Sequence, residues 1–267
     1  MIKDITIGQY LPGSSVIHKL DPRVKILLSI IYIVILFIVS NFIGYAFIAA
    51  FTLLVVILAR IPVKYLFKGL KPVIWIIVFT AVINAFFTTG GNELFAAGPI
   101  TITDKGLYMS AFMIIRLLFL IIGTSILTLT TSPIALTDGI ERLLSPFKKI
   151  GLPAHELAMM MTIALRFIPT LLDETDKIMK AQMARGADFE SGNVIRRAKS
   201  LIPILVPLFI SSFRRADDLA MAMEARCYIG GEGRTRLRQL KIESRDYVAC
   251  TFMALLLGIS IASRVLF

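Results

Sequence analysis

The chain has 267 residues, of which 57% are hydrophobic, and its 29 Lys and Arg residues outnumber its 18 Asp and Glu residues. Soluble domains contain about 45–50% apolar residues, so this composition excludes a disordered chain and favours a membrane protein. Two cysteines, Cys227 and Cys250, are too few for a disulfide framework.

Five apolar runs are candidates to cross a bilayer, whose core of about 30 Å needs roughly 20 helical residues. They lie at residues 26–40, 42–59, 72–88, 107–130 and 247–267. Residues 131–246 differ, because charge and proline interrupt their apolar stretches. The sequence predicts an all-α, polytopic membrane protein with about five transmembrane helices. Its expected domains are a four-span membrane domain (1–130), a cytoplasmic domain of long helices (131–246) and a final span (247–267).

The basic residues predict the orientation, since Lys and Arg are enriched in cytoplasmic loops. They concentrate in the N-terminal segment, the loop at 60–71 and the block at 131–246, whereas Lys105 is alone in the loop at 89–106. We therefore expect the N-terminus and the 131–246 block to be cytoplasmic. The block carries 18 basic and 14 acidic residues without an aromatic-interleaved patch, so anionic lipid is expected as its counter-charge and nucleic acid is not.

Two long helices are expected in the block. One runs from after Pro153 to about Gly186 with a bend at Pro169, and the other runs from about Ile195 to Cys227, where prolines bend or interrupt its first half. Their ends match at a shift of 41 residues, which is a weak internal repeat. The matched triplets are Ala184, Arg185, Gly186 and Ala225, Arg226, Cys227. An arginine there can simply stabilise the negative end of a helix dipole, whereas two copies suggest two equivalent sockets on partners.

Several motifs resemble one family. They are Leu-Asp-Pro-Arg at 20–23, Leu-Thr-Asp-Gly-Ile-Glu-Arg-Leu-Leu-Ser-Pro at 136–146, Gly-Leu-Pro at 151–153, His-Glu-Leu-Ala at 155–158, Ala-Leu-Arg-Phe-Ile-Pro at 164–169 and the two Ala-Arg triplets. Together they are similar to the T component of energy-coupling factor transporters, and the similarity extends from Leu20 to the last span.

The resemblance implies a transmembrane scaffold with cytoplasmic coupling helices, which joins two ABC-type ATPases to one small substrate-binding membrane subunit. It implies uptake of a vitamin or a transition-metal ion across a bacterial or archaeal plasma membrane, with the substrate chosen by another polypeptide. It also implies that Ala184, Arg185, Gly186 and Ala225, Arg226, Cys227 contact the ATPases. Cys227 departs from the family pattern, where glycine is usual.

The residues themselves favour a subunit that is not an enzyme. A phosphate-binding G-x-x-x-x-G-K-[ST] loop is absent from the sequence, so ATP and Mg are expected on the partner ATPases and no cofactor on this chain. His155-Glu156 opens like a zinc motif, but position 159 is methionine, so no metal site is expected. Arg214-Arg215 followed by Asp217-Asp218 is interpreted as a solvated helix face with local pairs.

Further residues are candidates for contact with the substrate-binding subunit. Arg116 lies within an apolar run, so it needs a partner, and Asn84 is one possibility. Structural pairing and a role at the partner surface stay equally open for it. Met159, Met160, Met179 and Met183 form either an adaptable binding surface or ordinary helical core. A stand-alone secondary carrier with Arg116 and Asn84 as its midplane site is the alternative function, and a membrane-bound enzyme is a third.

Overall fold

A computed structural model describes residues 10–266 except 89, 91, 98, 99, 190, 192 and 231–239. The chain divides into two compact units. The bundle unit lies within residues 8–139 and 240–267, and the paired-helix unit within 140–239.

The described helices and strands follow one another as α1 (Pro22–Ile38), α2 (Phe42–Ala59), α3 (Val63–Leu70), a 3-10 turn (Lys71–Val73), α4 (Ile74–Phe87), β1 (Glu93–Ala97), β2 (Ile100–Thr103), α5 (Asp104–Thr130), α6 (Pro133–Leu144), a 3-10 segment (Ser145–Ile150), α7 (Ala154–Ala184), α8 (Val194–Ser200), α9 (Ile202–Glu224) and α10 (Ser244–Leu266). The fold class is all-α, as predicted. A short antiparallel β1–β2 hairpin, which pairs Ala97 with Ile100, is the one departure within the described residues, and it lies in the loop at 89–106.

Side-chain caps fix where two of the membrane helices begin. The Asp21 carboxylate accepts a hydrogen bond from the Arg23 N–H, and Pro22 occupies the first turn of α1. The Thr103 hydroxyl accepts from the Gly106 N–H at the start of α5 (3.1 Å). Asp21 itself is held by α10, because its N–H donates to the buried Asp246 carboxylate (2.8 Å). The first and last helices of the bundle unit are therefore joined at this end.

The core of the bundle unit lies where α1, α2, α5 and α10 meet. Its buried side chains are Tyr32, Ile35, Leu36, Val39, Tyr45, Ile48, Phe112, Met253 and Leu256. Gly123 on α5 allows the closest approach, because a Cβ there would stand 2.3 Å from the Tyr32 ring. The last span therefore belongs to the same bundle as the first two, although more than 180 residues separate α2 from α10.

Five helices among the described residues are long and apolar enough to cross a membrane: Phe42–Ala59, Val63–Phe87, Asp104–Thr130, Ala154–Ala184 and Ser244–Val265. Four of these contain or overlap predicted spans, so the protein is a multi-pass membrane protein. The set differs from the prediction in one member, because it includes α7 instead of the run at 26–40, which forms the 17-residue α1. Among the five, α7 has the lowest mean hydropathy, 1.2, since its second half is charged.

The paired-helix unit consists mainly of α7 packed against α9, and it has little core. Among its described residues only Ala154, Ala158 and Ile204 are buried apolar side chains. The helix predicted from Ile195 to Cys227 is two helices, because it breaks at Leu201 just before Pro203, a residue that the first turn of α9 accommodates. Much apolar surface of α7 and α9 is consequently left exposed.

Candidate functional site

The first helix end consists of Ala184, Arg185 and Gly186 at the C-terminus of α7. The Gly186 N–H donates to Met183 O (3.0 Å) and the Ala187 N–H donates to Gln182 O (3.0 Å). With Gly186 at φ 85°, these bonds make a Schellman motif, which satisfies helix-end carbonyls with backbone donors. The Arg185 guanidinium is thus not needed as a cap.

The second helix end, which consists of Ala225, Arg226 and Cys227 after α9, repeats this backbone. The Cys227 N–H donates to Glu224 O (2.8 Å) and the Tyr228 N–H donates to Met223 O (3.1 Å), which are the same two bonds shifted by 41 residues. Cys227 adopts the left-handed conformation at φ 53°, where glycine is favoured. The departure from glycine therefore leaves the helix-end geometry unchanged.

Both arginines are exposed. Within the described residues, neither guanidinium forms a hydrogen bond or an ion pair with the rest of the chain. Each presents five N–H donors in a rigid fork at the tip of a helix. The arrangement suits recognition of carboxylates or carbonyl groups on another molecule.

A side-chain link joins α7 to α9 at matching points of the repeat. Arg215 Nη2 donates to Glu174 Oε2 (2.7 Å), and the Ser211 hydroxyl donates to the other carboxylate oxygen. Glu174 and Arg215 are 41 residues apart, so they occupy equivalent positions. Each lies eleven residues before the arginine of its own helix end, about 16 Å along the helix. Arg215 is therefore not confined to local pairs on its own helix.

A second polar contact shows that α7 and α9 run antiparallel. The Tyr228 hydroxyl and His155 Nε2 lie 3.3 Å apart, and His155 Nδ1 lies 3.0 Å from Glu141 Oε1. From the Glu174–Arg215 link to this contact, the residue number falls on α7 and rises on α9. The two helix ends consequently lie in opposite directions from the link, with their arginines about 33 Å apart along the pair.

An apolar face runs along α9. Its exposed side chains are Leu205, Val206, Phe209, Ile210 and Phe213, with 51–65% of each residue accessible. They line a shallow groove on the helix surface. Apolar faces of this kind commonly mark contacts with a membrane or a protein partner.

The four singled-out methionines lie on α7 and differ in exposure. Met160 and Met183 are exposed, at 55% and 49%, whereas Met159 and Met179 are half-buried. Together they form a partly exposed surface on the same helix as Arg185.

The structure pairs Arg116 within the bundle, but not with Asn84. Arg116 Nε donates to the Tyr45 hydroxyl (3.1 Å) and Nη2 to Val39 O (3.4 Å), and its guanidinium lies 5.0 Å from the Phe112 ring centroid. Asn84 Nδ2 instead donates to Thr80 O on its own helix (2.8 Å). The short gap between α1 and α2 explains the difference, because it leaves the Val39 carbonyl unpaired near α5.

Sequence reasoning missed the Glu174–Arg215 link and the Tyr228 contact. A signal for the first was present, since the 41-residue shift aligns an acid with a base. The Tyr228 contact had no such signal, because position 187 in the first copy is alanine.

Comparison with known proteins places these features in a family. Residues 13–237 match the family model described as cobalt transport protein, CbiQ. The chain is 66% identical to the energy-coupling factor transporter transmembrane protein EcfT of Clostridium kluyveri, over 99% of this chain and 98% of the relative. It is 62% identical to the protein of the same name from Thermosediminibacter oceani, over 98% and 99%. Identity to the Bacillus subtilis protein is 51%, over 92% and 93%.

Proposed function

Because this chain belongs to the family of energy-coupling factor transporter transmembrane proteins, we propose that it couples two ABC-type ATPases to one small substrate-binding membrane subunit. The ATPases bind and hydrolyse ATP with Mg, and this chain holds no cofactor and is not an enzyme. The observation that carries the proposal is the pair of equivalent, exposed arginine helix ends at opposite ends of α7 and α9.

The arginines suit docking for a physical reason. Their helix-end carbonyls already have backbone donors, so all five guanidinium donors are available to a partner. Buried arginines are frequent hot spots at interfaces, and the loss of one costs about 2 kcal/mol or more, which is roughly 30-fold in affinity. Ala184 and Ala225 beside them are small enough to let each tip enter a groove.

The spacing of the two ends suits two separate ATPases. About 33 Å along the helix pair is close to the diameter of a small domain, so two domain-sized partners can bind without overlap. The asymmetric chain thereby offers two similar sockets in place of one.

Movement of the ATPases would pass through the helix pair to the substrate-binding subunit. When the ATPases close and separate, each end is carried with its partner, and the Glu174–Arg215 link makes α7 and α9 respond together. The apolar α9 face and the α7 methionines then supply the surface for the membrane subunit. The positive-inside pattern supports a cytoplasmic paired-helix unit in a bacterial or archaeal plasma membrane. The cargo, a vitamin or a transition-metal ion, is selected by the substrate-binding subunit.

The carrier alternative has little support. Its expected midplane site was Arg116 with Asn84, but Arg116 is engaged by Tyr45 and Val39, and Asn84 bonds to its own helix. No described pair of polar residues replaces that site in the bundle core.

The test is purification of the protein from native membranes in mild detergent, with mass spectrometry of bound partners and assay of ATP-driven uptake. We expect two ABC ATPases and one small membrane protein with the wild type, and loss of the ATPases and of uptake in Arg185→Ala/Arg226→Ala. Arg196→Ala is the matched control, since this arginine is exposed on α8. Wild-type assembly and uptake by the double variant would overturn the proposal, and uptake without ATP by the isolated chain would establish the carrier.

A further inference from the structure

The bundle unit contains an apolar cavity of about 330 Å³. Its walls come from residues 16–20, 25–32 on α1, 51–58 on α2, 123–130 on α5 and 245–253 on α10. These are the beginnings of α1 and α10 and the ends of α2 and α5, so the whole cavity lies in one half of the bundle. Its volume is at the lower end of the range for small-ligand pockets, about 300–1,000 Å³.

The depth of the cavity matches one leaflet. Along α10 it extends from Arg245 to Met253, eight residues or about 12 Å of helix. One leaflet contributes about 15 Å of a hydrocarbon core that is about 30 Å thick. A single acyl chain of a lipid therefore has the length that this space accepts.

The deep end of the cavity offers no free hydroxyl to a polar ligand. The Tyr32 hydroxyl bonds to Thr52 Oγ1 (2.8 Å), which itself donates to Ile48 O (2.7 Å). The rest of the wall is mostly apolar side chains. A polar occupant would lose hydrogen bonds to water there without replacement, whereas a hydrocarbon chain would not.

Two cationic side chains line the other end. Arg245 Nε is buried without a hydrogen-bond partner, while Nη2 of the same residue donates to Glu243. Lys25 is only 6% exposed, and its Nζ donates to neutral oxygens alone, those of His18 O, Thr130 O and Thr131 Oγ1. Asp246 is the nearby acid, and its carboxylate accepts from the backbone N–H groups of Asp21 and Glu243.

We propose that this cavity binds one anionic phospholipid from the leaflet on the Arg245 side. The acyl chain fills the apolar space, and a phosphate oxygen accepts from Arg245 Nε while Lys25 adds attraction at longer range. Basic pockets between transmembrane helices are known to select anionic headgroups. In the proposed orientation this is the cytoplasmic leaflet, but the cavity argument does not depend on the ATPase partners.

The test is native mass spectrometry of the transporter complex released from nanodiscs of phosphatidylglycerol and phosphatidylcholine in equal amounts. We expect one retained lipid, with phosphatidylglycerol favoured about tenfold. Ala249→Phe should fill the cavity and abolish retention. Leu54→Trp should block it as well, and this exposed site on α2 tolerates a larger side chain without disturbing the core.

The headgroup contact is tested separately. Arg245→Gln should still retain a lipid but lose the preference for phosphatidylglycerol, whereas Arg264→Gln, exposed at the other end of α10, should behave like the wild type. The proposal is overturned if the wild type retains no lipid, if both blocking variants retain as much as the wild type, or if the two lipids are retained equally. Recovery of a peptide segment in place of the lipid would assign the cavity to a protein partner.

Discussion

At the first helix end Gly186 adopts φ 85° and is followed by Ala187, whereas at the second Cys227 adopts φ 53° and is followed by Tyr228. The two backbone hydrogen bonds are nevertheless the same at both ends. The second end thus carries strain at a left-handed residue with a side chain, and it gains the Tyr228–His155 contact that the first end lacks. The comparison teaches that hydrogen bonding fixes the shape of these ends, while glycine only makes that shape easier to adopt.

The largest expected effect comes from the link that both ends share. Glu174→Arg replaces an attraction of about 1 kcal/mol with a repulsion of similar size, since both side chains are partly exposed. We expect a loss of about 2 kcal/mol in the stability of the paired-helix unit and a severe loss of ATP-driven uptake in proteoliposomes.

The reverse substitution provides the control for this prediction. Glu174→Arg/Arg215→Glu should recover most of the stability and uptake, because the pair is restored with its charges exchanged. Glu156→Arg, on an exposed site of α7, should change neither quantity. If the double variant were no better than Glu174→Arg, the link would not join the two ends.

The next effect exchanges the residues that differ between the ends. Gly186→Cys should cost about 1–2 kcal/mol, because a side chain is placed at positive φ although the space around Gly186 is open. Cys227→Gly should stabilise the second end by up to about 1 kcal/mol for the same reason. Thermal unfolding in detergent measures both. Equal and negligible shifts would show that the left-handed conformation is not maintained at these ends in solution.

The smallest effect concerns the contact present at one end only. Tyr228→Phe removes a long hydrogen bond of 3.3 Å, so we expect about 0.5 kcal/mol, or roughly a twofold weaker ATPase contact at the second end. Binding titrations in the Arg185→Ala background isolate that end, and the Arg226→Ala background isolates the first. An equal effect in both backgrounds would indicate that Tyr228 supports the whole unit and not the second end.

Sequence patterns predicted the spans well where apolar runs were long. The runs at 42–59, 72–88, 107–130 and 247–267 all lie in or overlap helices able to cross a membrane. The motifs also identified the family. Prediction was weaker for α7, whose apolar first half and charged second half form one helix of 31 residues, and for the helix broken at Leu201.

Contacts between distant residues were harder to predict. Arg116 was expected to need a partner because an unpaired charge in an apolar run is costly, but which group would face it depended on how α1 and α2 end. Likewise, the β1–β2 hairpin has no strong pattern in the loop at 89–106. These features depend on the relative placement of helices, which a single sequence does not specify.

The sequence by itself determined that this is a helical, multi-pass membrane protein with two matching arginine triplets, because hydropathy and spacing are properties of the chain. Only the tertiary structure decided that α7 and α9 run antiparallel, that Glu174 meets Arg215, and that both arginines stay unpaired within the described residues. It also decided that four helices leave an apolar cavity beside Arg245. Such features arise from packing between residues far apart in the chain, so local pattern carries little information about them.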